Sequence, residues 1–313
     1  MRKTLRTMML FGAATLLSAP ALPAAAADLK VVASFSIIGD FAKNVGGDRI
    51  ELTTLVGPDG DAHVYEPKPT DAVAMAGADV VLVNGLQFEG FLQRLVEASA
   101  TKAAIVELTK GVETIKMAEG EHHDGEEPAS VEDHHNHGDI DPHAFQSVPN
   151  AEIYVKNIAD AFCAADASGC QTYQANAMAY TVKLKALDDE VKAAIASIPD
   201  DKRTIITSHD AFGYFDHQYG ITFLAPEGIS TAAEASAADV AALITQVRED
   251  KASAIFLENI TNPRLIEQIA AETGLKVGGV LFSDALSSEG KAATYIDMMR
   301  SNVATIRGAI LGS

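Results

Sequence analysis

The stretch EHHDGEEPASVEDHHNHGDIDPH, residues 121–143, carries six of the nine histidines in the chain. Imidazoles interleaved with carboxylates are metal-binding chemistry, because neutral imidazole is the commonest nitrogen ligand for transition metals. Residues 118–140, however, have little apolar content and many charges, with three glycines and a proline scattered through them. Such a segment cannot bury enough surface to order itself, and it is expected to be a mobile loop. Its histidines, His122, His123, His134, His135 and His137, are therefore candidates for an accessory role. His143, in the DPH at its foot, belongs to a different set.

The other members of that set lie at the ends of apolar runs. His63 follows ELTTLV, His209 follows RTIITS, and Asp284 follows VGGVLFS. With His143 they make three imidazoles and one carboxylate that can converge beyond strand ends, where open α/β sheets bind ligands. A lone loop histidine ordinarily faces solvent, so the joint placement carries the argument. Three nitrogens and one oxygen suit Zn²⁺ in a closed tetrahedral shell. They argue against Mg²⁺ and Ca²⁺, and less strongly against Mn²⁺. Tyr65, Glu66, Asp210 and Glu258 stand near these positions or end a strand, and any could orient an imidazole N–H. Glu66 is the favoured one. His217, in FDHQYG, is expected to be structural.

The elements that must position this set follow from periodicity. LKVVASF (29–35), RIELTTLV (49–56), DVVLVNG (79–85) and AAIVELT (103–109) read as strands. SIIGDFAKNVGG, TDAVAMAGA (with Thr70 as N-cap) and FEGFLQRLVEAS read as the helices between them. After residue 148 the pattern becomes helical. Tyr173, Tyr180, Leu184, Leu187, Val191, Ile195 and Ile198 recur at steps of three, four or seven, which is one face of a long helix. About 28 residues of helix span roughly 42 Å, enough to bridge two lobes. The strand–helix alternation then restarts with RTIITS, GITFLA, SAIFLEN and VGGVLFS. A last helix is read over KAATYIDMMRSNVATIRGAI. The expected fold is α/β: two lobes with mostly parallel sheets, joined by one long rigid helix. The expected boundaries are 27–168 for the first lobe, carrying the loop 118–140, then 169–199 for the linker helix and 200–313 for the second lobe.

The first 26 residues read as a cleaved signal peptide. Arg2, Lys3 and Arg6 precede the apolar run Met8–Leu22, and PAAAAD offers small residues for the cut, placed after Ala26. No cysteine lies near it, so a soluble, exported form without a lipid anchor is expected, in the periplasm. The cut leaves 21 basic against 43 acidic residues, a net charge of −22. Nucleic acid is excluded as a partner, since it needs a basic face. The acidity suits cations and also plain solubility. Cys163 and Cys170, the two cysteines of an exported chain, are expected to form a disulfide. The loop it closes is short, and the bridge should stabilise by roughly 2–3 kcal/mol.

Four segments spread over the chain resemble one family. GPDGDAHVYEPKPTDAVAMAGADVVLVNG, DPHAF, TSHDAFGYFDHQYGI and LFSDALS occur in the order found in cluster A-I (cluster 9) solute-binding proteins, the metal-capturing components of bacterial ABC importers. The resemblance implies two α/β lobes joined by a rigid helix. It maps the four metal ligands onto His63, His143, His209 and Asp284. Manganese-binding relatives resemble one another in a glutamate at the third position. His209 there points to zinc, in the subgroup with three histidines and an aspartate. The family often reads DPH where this chain has DAH before its first ligand, a change that slightly loosens the loop.

The resemblance also gives the histidine-rich loop a role, since zinc-type relatives often carry such an insert. It would scavenge zinc weakly and hand it inward, or take it from a metallochaperone. The alternative is a solubilising loop. The other implied partners are an inner-membrane permease and its ATPase, with the binding protein a monomer. Imidazole must be neutral to ligate, so affinity is expected to fall steeply below about pH 6. The rigid helix implies that binding orders loops near His143 and His209 instead of swinging whole lobes.

An enzyme is the competing class. A metallohydrolase needs an open coordination position and a nearby base. The chain has no H-E-x-x-H and no G-x-S-x-G elbow. The contiguous Ser208-His209-Asp210 cannot form a triad, whose members meet across a fold. A manganese- or iron-binding homologue remains the other alternative. A surface adhesin is disfavoured by the missing anchor site. The expectation is a binding protein and not an enzyme.

Overall fold

The computed structural model describes residues 29–116 and 140–312. The signal segment and the five loop histidines lie outside them. The first apolar run becomes β1 (Leu29–Phe35), buried along its length except at Lys30. A near-continuous apolar run is what a strand covered on both faces requires. It is central: β2 (Ile50–Val56), β3 (Val80–Val83) and β4 (Ala104–Glu107) complete a parallel sheet in the order β2-β1-β3-β4. Leu29 sits opposite Ile50, Val31 opposite Val80, and Val80 opposite Ala104.

The second sheet repeats the plan. β5 (Thr204–Ile206), β6 (Thr222–Leu224), β7 (Ala254–Glu258) and β8 (Val277–Leu281) pair in parallel in the order β6-β5-β7-β8. In each sheet the chain steps to one side of the first strand and then crosses to the other. That reversal opens a crevice at the carboxyl ends of the strands. The crossovers between parallel strands are carried by helices, among them α1 (Ser36–Gly46), α2 (Pro69–Gly77) and α3 (Leu92–Ser99) in the first lobe.

Two helices follow the first sheet, α4 (Val148–Ala165) and α5 (Cys170–Ala196). α5 is the expected linker, 27 residues long. Tyr173, Tyr180, Leu184, Leu187, Val191 and Ile195 are its buried stripe. It packs on α4, on α1 and on the final helix, which belongs to the second lobe. The second lobe adds α6 (Gly213–Tyr219), α7 (Ala237–Glu249), α8 (Arg264–Thr273) and α9 (Tyr295–Leu311). One apolar core runs through both lobes. Phe41 of α1 packs against Tyr295 of α9 (4.8 Å between rings) and against Tyr180 of α5 (6.3 Å). A smaller cluster under α7 and α8 includes Ile206 and Ile255.

Three local readings shift. α2 begins at Pro69 with Lys68 before it, so Thr70 lies inside the helix and not at its cap. Proline's fixed φ suits the first helical position, and Asp71 accepts the Lys68 N–H at 2.7 Å. α9 starts at Tyr295, where the Thr294 hydroxyl caps Asp297 N at 3.2 Å. α6 is too short to show periodicity and emerges only in the structure. The Cys163–Cys170 disulfide is present and joins the end of α4 to the start of α5. Among the described residues no helix is long and apolar enough to cross a membrane.

Candidate metal centre

Two of the histidines sit in the same kind of turn. In Asp61-Ala62-His63 the His63 N–H donates to Asp61 Oδ1 at 2.8 Å. In Asp141-Pro142-His143 the His143 N–H donates to Asp141 Oδ1, also at 2.8 Å. An aspartate accepting from the backbone two residues on is a local turn that fixes the intervening residue. At His143 the same Oδ1 faces the ring Nδ1 at 2.8 Å. At His63 no carboxylate bonds the ring Nδ1 among the described residues.

His209 is held from the neighbouring strand. Glu258, the last residue of β7, accepts from Ser208 N at 2.7 Å and His209 N at 3.0 Å through Oε1. Its Oε2 stands 2.6 Å from His209 Nδ1. Asp284 lies just beyond β8. Its loop is pinned by Asn302, which clamps Phe282 N and O at 2.9 and 2.8 Å, and by Gln146 Nε2, which donates to Ser283 O.

These supports leave three Nε2 atoms and one carboxylate facing a common point. Asp284 Oδ2 is 3.1 Å from His63 Nε2, 3.1 Å from His209 Nε2 and 3.6 Å from His143 Nε2. His63 Nε2 and His143 Nε2 are 3.3 Å apart. Four atoms 2.0–2.1 Å from a tetrahedral centre stand about 3.3 Å from one another. The one ligand atom from each residue lies within 4.8 Å of the others, and this is the cluster of metal-binding type among the described residues. His143, His209 and Asp284 are fully buried. Asp284 Oδ1 is buried with no hydrogen-bond partner, which is costly unless a cation compensates it.

The electrostatics of the metal-free cluster run the same way. Burial opposes a charged His143 ring, but Asp284 and Asp141 outweigh it and lift its pKa to about 9. Burial likewise opposes charge on His209, and Glu258 and Asp284 outweigh it, pushing the pKa well above the ordinary value. Asp284 is driven well below the usual carboxylate range, since His143 and His209 overcome its burial. The site thus holds protons where a metal would hold positive charge.

Aromatic rings wall the site. Phe88 meets His63 edge-on at 4.7 Å and His143 at 5.6 Å, and Phe145 meets His143 at 5.9 Å. Phe88 is set by its neighbour Glu89, whose buried carboxylate accepts from Ser34 Oγ and Asn84 N, both at 2.6 Å. An open cavity of about 300 Å³ reaches His63 between Leu86, Phe88, Pro142 and Ile229. A larger groove of about 690 Å³ along β8 and α9 touches none of the four residues.

Of the residues singled out from sequence, the structure gathers His63, His143, His209 and Asp284. Glu258 orients His209. Glu66 does not reach the cluster: it is exposed, because the chain turns outward after His63 toward Pro67 and Pro69. Tyr65 donates to Asp71 Oδ2 at 2.8 Å and packs on Phe91. Asp210 bonds through its backbone to Gly228 O at 3.2 Å, and burial raises its pKa. His217 is exposed on α6. Asp141 was not singled out. The repeated D-x-H spacing at 61–63 and 141–143 was the available signal.

Comparison with known proteins agrees with this geometry. The family model "Zinc-uptake complex component A periplasmic", ZnuA, matches residues 31–309. The chain belongs to this family. Within the ZnuA family of periplasmic metal-binding proteins, it is 34% identical over 278 residues to a protein named manganese-binding lipoprotein MntA from Halalkalibacterium halodurans, covering 88% of this chain and 87% of that one. It is also 34% identical to the iron-binding protein YfeA of Yersinia pestis, covering 88% and 85%. The periplasmic zinc binding protein TroA from Treponema pallidum superposes with a TM-score of 0.79 at 28% identity, covering 91% of this chain and 99% of that one. The two-lobed α/β architecture is therefore that of ZnuA-family solute-binding proteins.

Proposed function

We propose that this protein is the zinc-binding component of an ABC importer. It captures Zn²⁺ between its lobes on His63, His143, His209 and Asp284 and delivers it to a membrane permease whose ATPase drives import. The observation that supports zinc is the donor set, three Nε2 atoms and one carboxylate oxygen at tetrahedral spacing. Two relatives are named for manganese and for iron. Nitrogen-rich tetrahedral sites favour Zn²⁺ over Mn²⁺, which prefers oxygen donors and higher coordination.

We take it as a periplasmic monomer with lobes 27–168 and 200–313 and linker 169–199. The loop histidines His122, His123, His134, His135 and His137 serve as a weak scavenger, or as the receiving point for a metallochaperone. The relative from Halalkalibacterium halodurans is named a lipoprotein, so the expected form without a lipid anchor draws no support from it. A closed four-ligand shell offers no position for an activated water, which favours a carrier over a hydrolase.

Competition titration of the metal-free protein with Zn²⁺ and Mn²⁺ tests the metal. Zinc should bind at least about a hundredfold more tightly. Equal affinities, or a preference for manganese, would contradict the zinc reading and leave a general divalent-metal carrier.

A further inference from the structure

Asp59 lies four residues before His63 and touches none of the four metal-facing side chains. Its backbone is left-handed, with φ 58°, a region that residues other than glycine seldom occupy. In that conformation it meets the second lobe through four hydrogen bonds. Its N–H donates to Leu286 O at 2.8 Å. Its Oδ2 accepts from Ser288 N at 3.0 Å and Ser288 Oγ at 2.7 Å, and its Oδ1 accepts from Asn259 Nδ2 at 3.1 Å.

The partners are not arbitrary. Asn259 directly follows Glu258, which grips His209, and Leu286 and Ser288 follow Asp284 by two and four residues. Asn259 Nδ2 also reaches Ala285 O at 3.3 Å. One exposed side chain therefore joins three loops of the site: that of His63, that of Glu258 and that of Asp284.

A second bond ties the His63 loop to the second lobe, Thr231 Oγ1 donating to Asp61 Oδ2 at 2.6 Å, and further contacts join the lobes nearby. Ser36 Oγ accepts from Leu286 N at 3.0 Å, Tyr214 OH donates to Asp141 O at 3.1 Å, and Tyr295 OH donates to Phe145 O at 2.7 Å. All three are buried, and they run through Leu286, Asp141 and Phe145, each two residues from a metal-facing side chain. The Asp59 carboxylate adds exposed bonds to this set.

We propose that Asp59 is a positioning residue for metal retention: a clasp at the rim that holds the His63 loop against the Glu258 and Asp284 loops and sets how fast bound metal leaves. This rests on the metal-site reading above. Its carboxylate bonds are to neutral groups, and charge-assisted bonds of this type are the stronger kind. Affinity differences among variants of one site fall mostly on the off-rate.

The test is stopped-flow release of Zn²⁺ from the full chain into excess chelator. Asp59→Gly removes the carboxylate and suits the positive φ, so the backbone is not strained. It should raise the off-rate about tenfold, with the on-rate within about twofold. The visible spectrum of the Co²⁺-loaded protein should be unchanged, because the four ligands remain. Asp59→Asn keeps one oxygen and should fall between. Adding Ser288→Ala to Asp59→Gly should change nothing further, since the two share one interaction. An off-rate within about twofold of the parent would overturn the proposal. So would additive effects of the two substitutions, or a lowered thermal midpoint of metal-free Asp59→Gly with release unaltered. Asp284→Ala serves as control: retention surviving that change would overturn the site assignment itself, whatever Asp59 does.

Discussion

Glu258 and His209, 49 residues apart in sequence, are bonded at two points: one carboxylate oxygen takes the histidine's backbone N–H at 3.0 Å and the other faces its Nδ1 at 2.6 Å. The ring therefore cannot turn, and its Nε2 is aimed at the metal position. A carboxylate behind a ligating imidazole also raises its basicity. Glu258→Ala is expected to weaken zinc binding by about 10–100-fold in a competition titration, with all four ligands still in place.

Asp141 does the same for His143, and a residue of the second lobe stands against it. A Cβ built on Gly213 would lie 2.5 Å from Asp141 Oδ2. Gly213→Ala should push Asp141 off the His143 ring and weaken zinc binding about tenfold. Asp141→Ala should weaken it as much or more. The same chelator competition measures both, and the two changes combined should not add, because they act on one contact.

The pKa shifts set the pH dependence. With His143 lifted to about 9 and His209 also raised, zinc must displace protons at neutral pH. Affinity is expected to rise with pH by about tenfold per unit for each proton displaced, the His143 share levelling off above about pH 9. This moves the expected loss of affinity up from pH 6, because Asp284, Asp141 and Glu258 stabilise the protonated rings. In the metal-free protein the raised His143 stabilises the fold. That contribution is fully present below about pH 6.5 and is lost as pH climbs through about 9. Calorimetry in buffers of different ionisation enthalpy counts the protons released, and thermal unfolding of metal-free protein checks the second claim.

The disulfide acts on stability and not on metal. It lies at the α4–α5 junction beside Asp166, which takes Arg49 at 2.9 Å just before β2. The seven residues of β2 put that junction roughly 20 Å from the strand ends that carry the site. Cys163→Ser with Cys170→Ser should lower unfolding free energy by about 2–3 kcal/mol. Zinc affinity should stay unchanged.

What the sequence disclosed follows from the range of each interaction. β1, β2 and the stripe Tyr173–Ile195 were readable because burial imposes a period on neighbouring residues. His63, His209 and Asp284 stood out because strand ends in parallel sheets face one crevice, and the full set, with His143, was given by the family resemblance. Glu66 was misplaced because closeness in sequence to His63 says nothing about direction once Pro67 and Pro69 turn the chain. Glu258 could be named but not ranked, since its reach to His209 depends on β7 pairing with β5. Strand order is a long-range property that no local pattern encodes. Asp141 and α6 were missed for the converse reason: each is a local feature too short to stand out.

The central claim is that the tight metal site is the buried cluster and not the histidine-rich loop. The direct test is a zinc titration, with a competing chelator, of the mature chain lacking residues 119–138. One tight site per chain should persist, and only weak binding should vanish. Loss of the tight site on deletion would make the loop the receptor and contradict the assignment of His63, His143, His209 and Asp284.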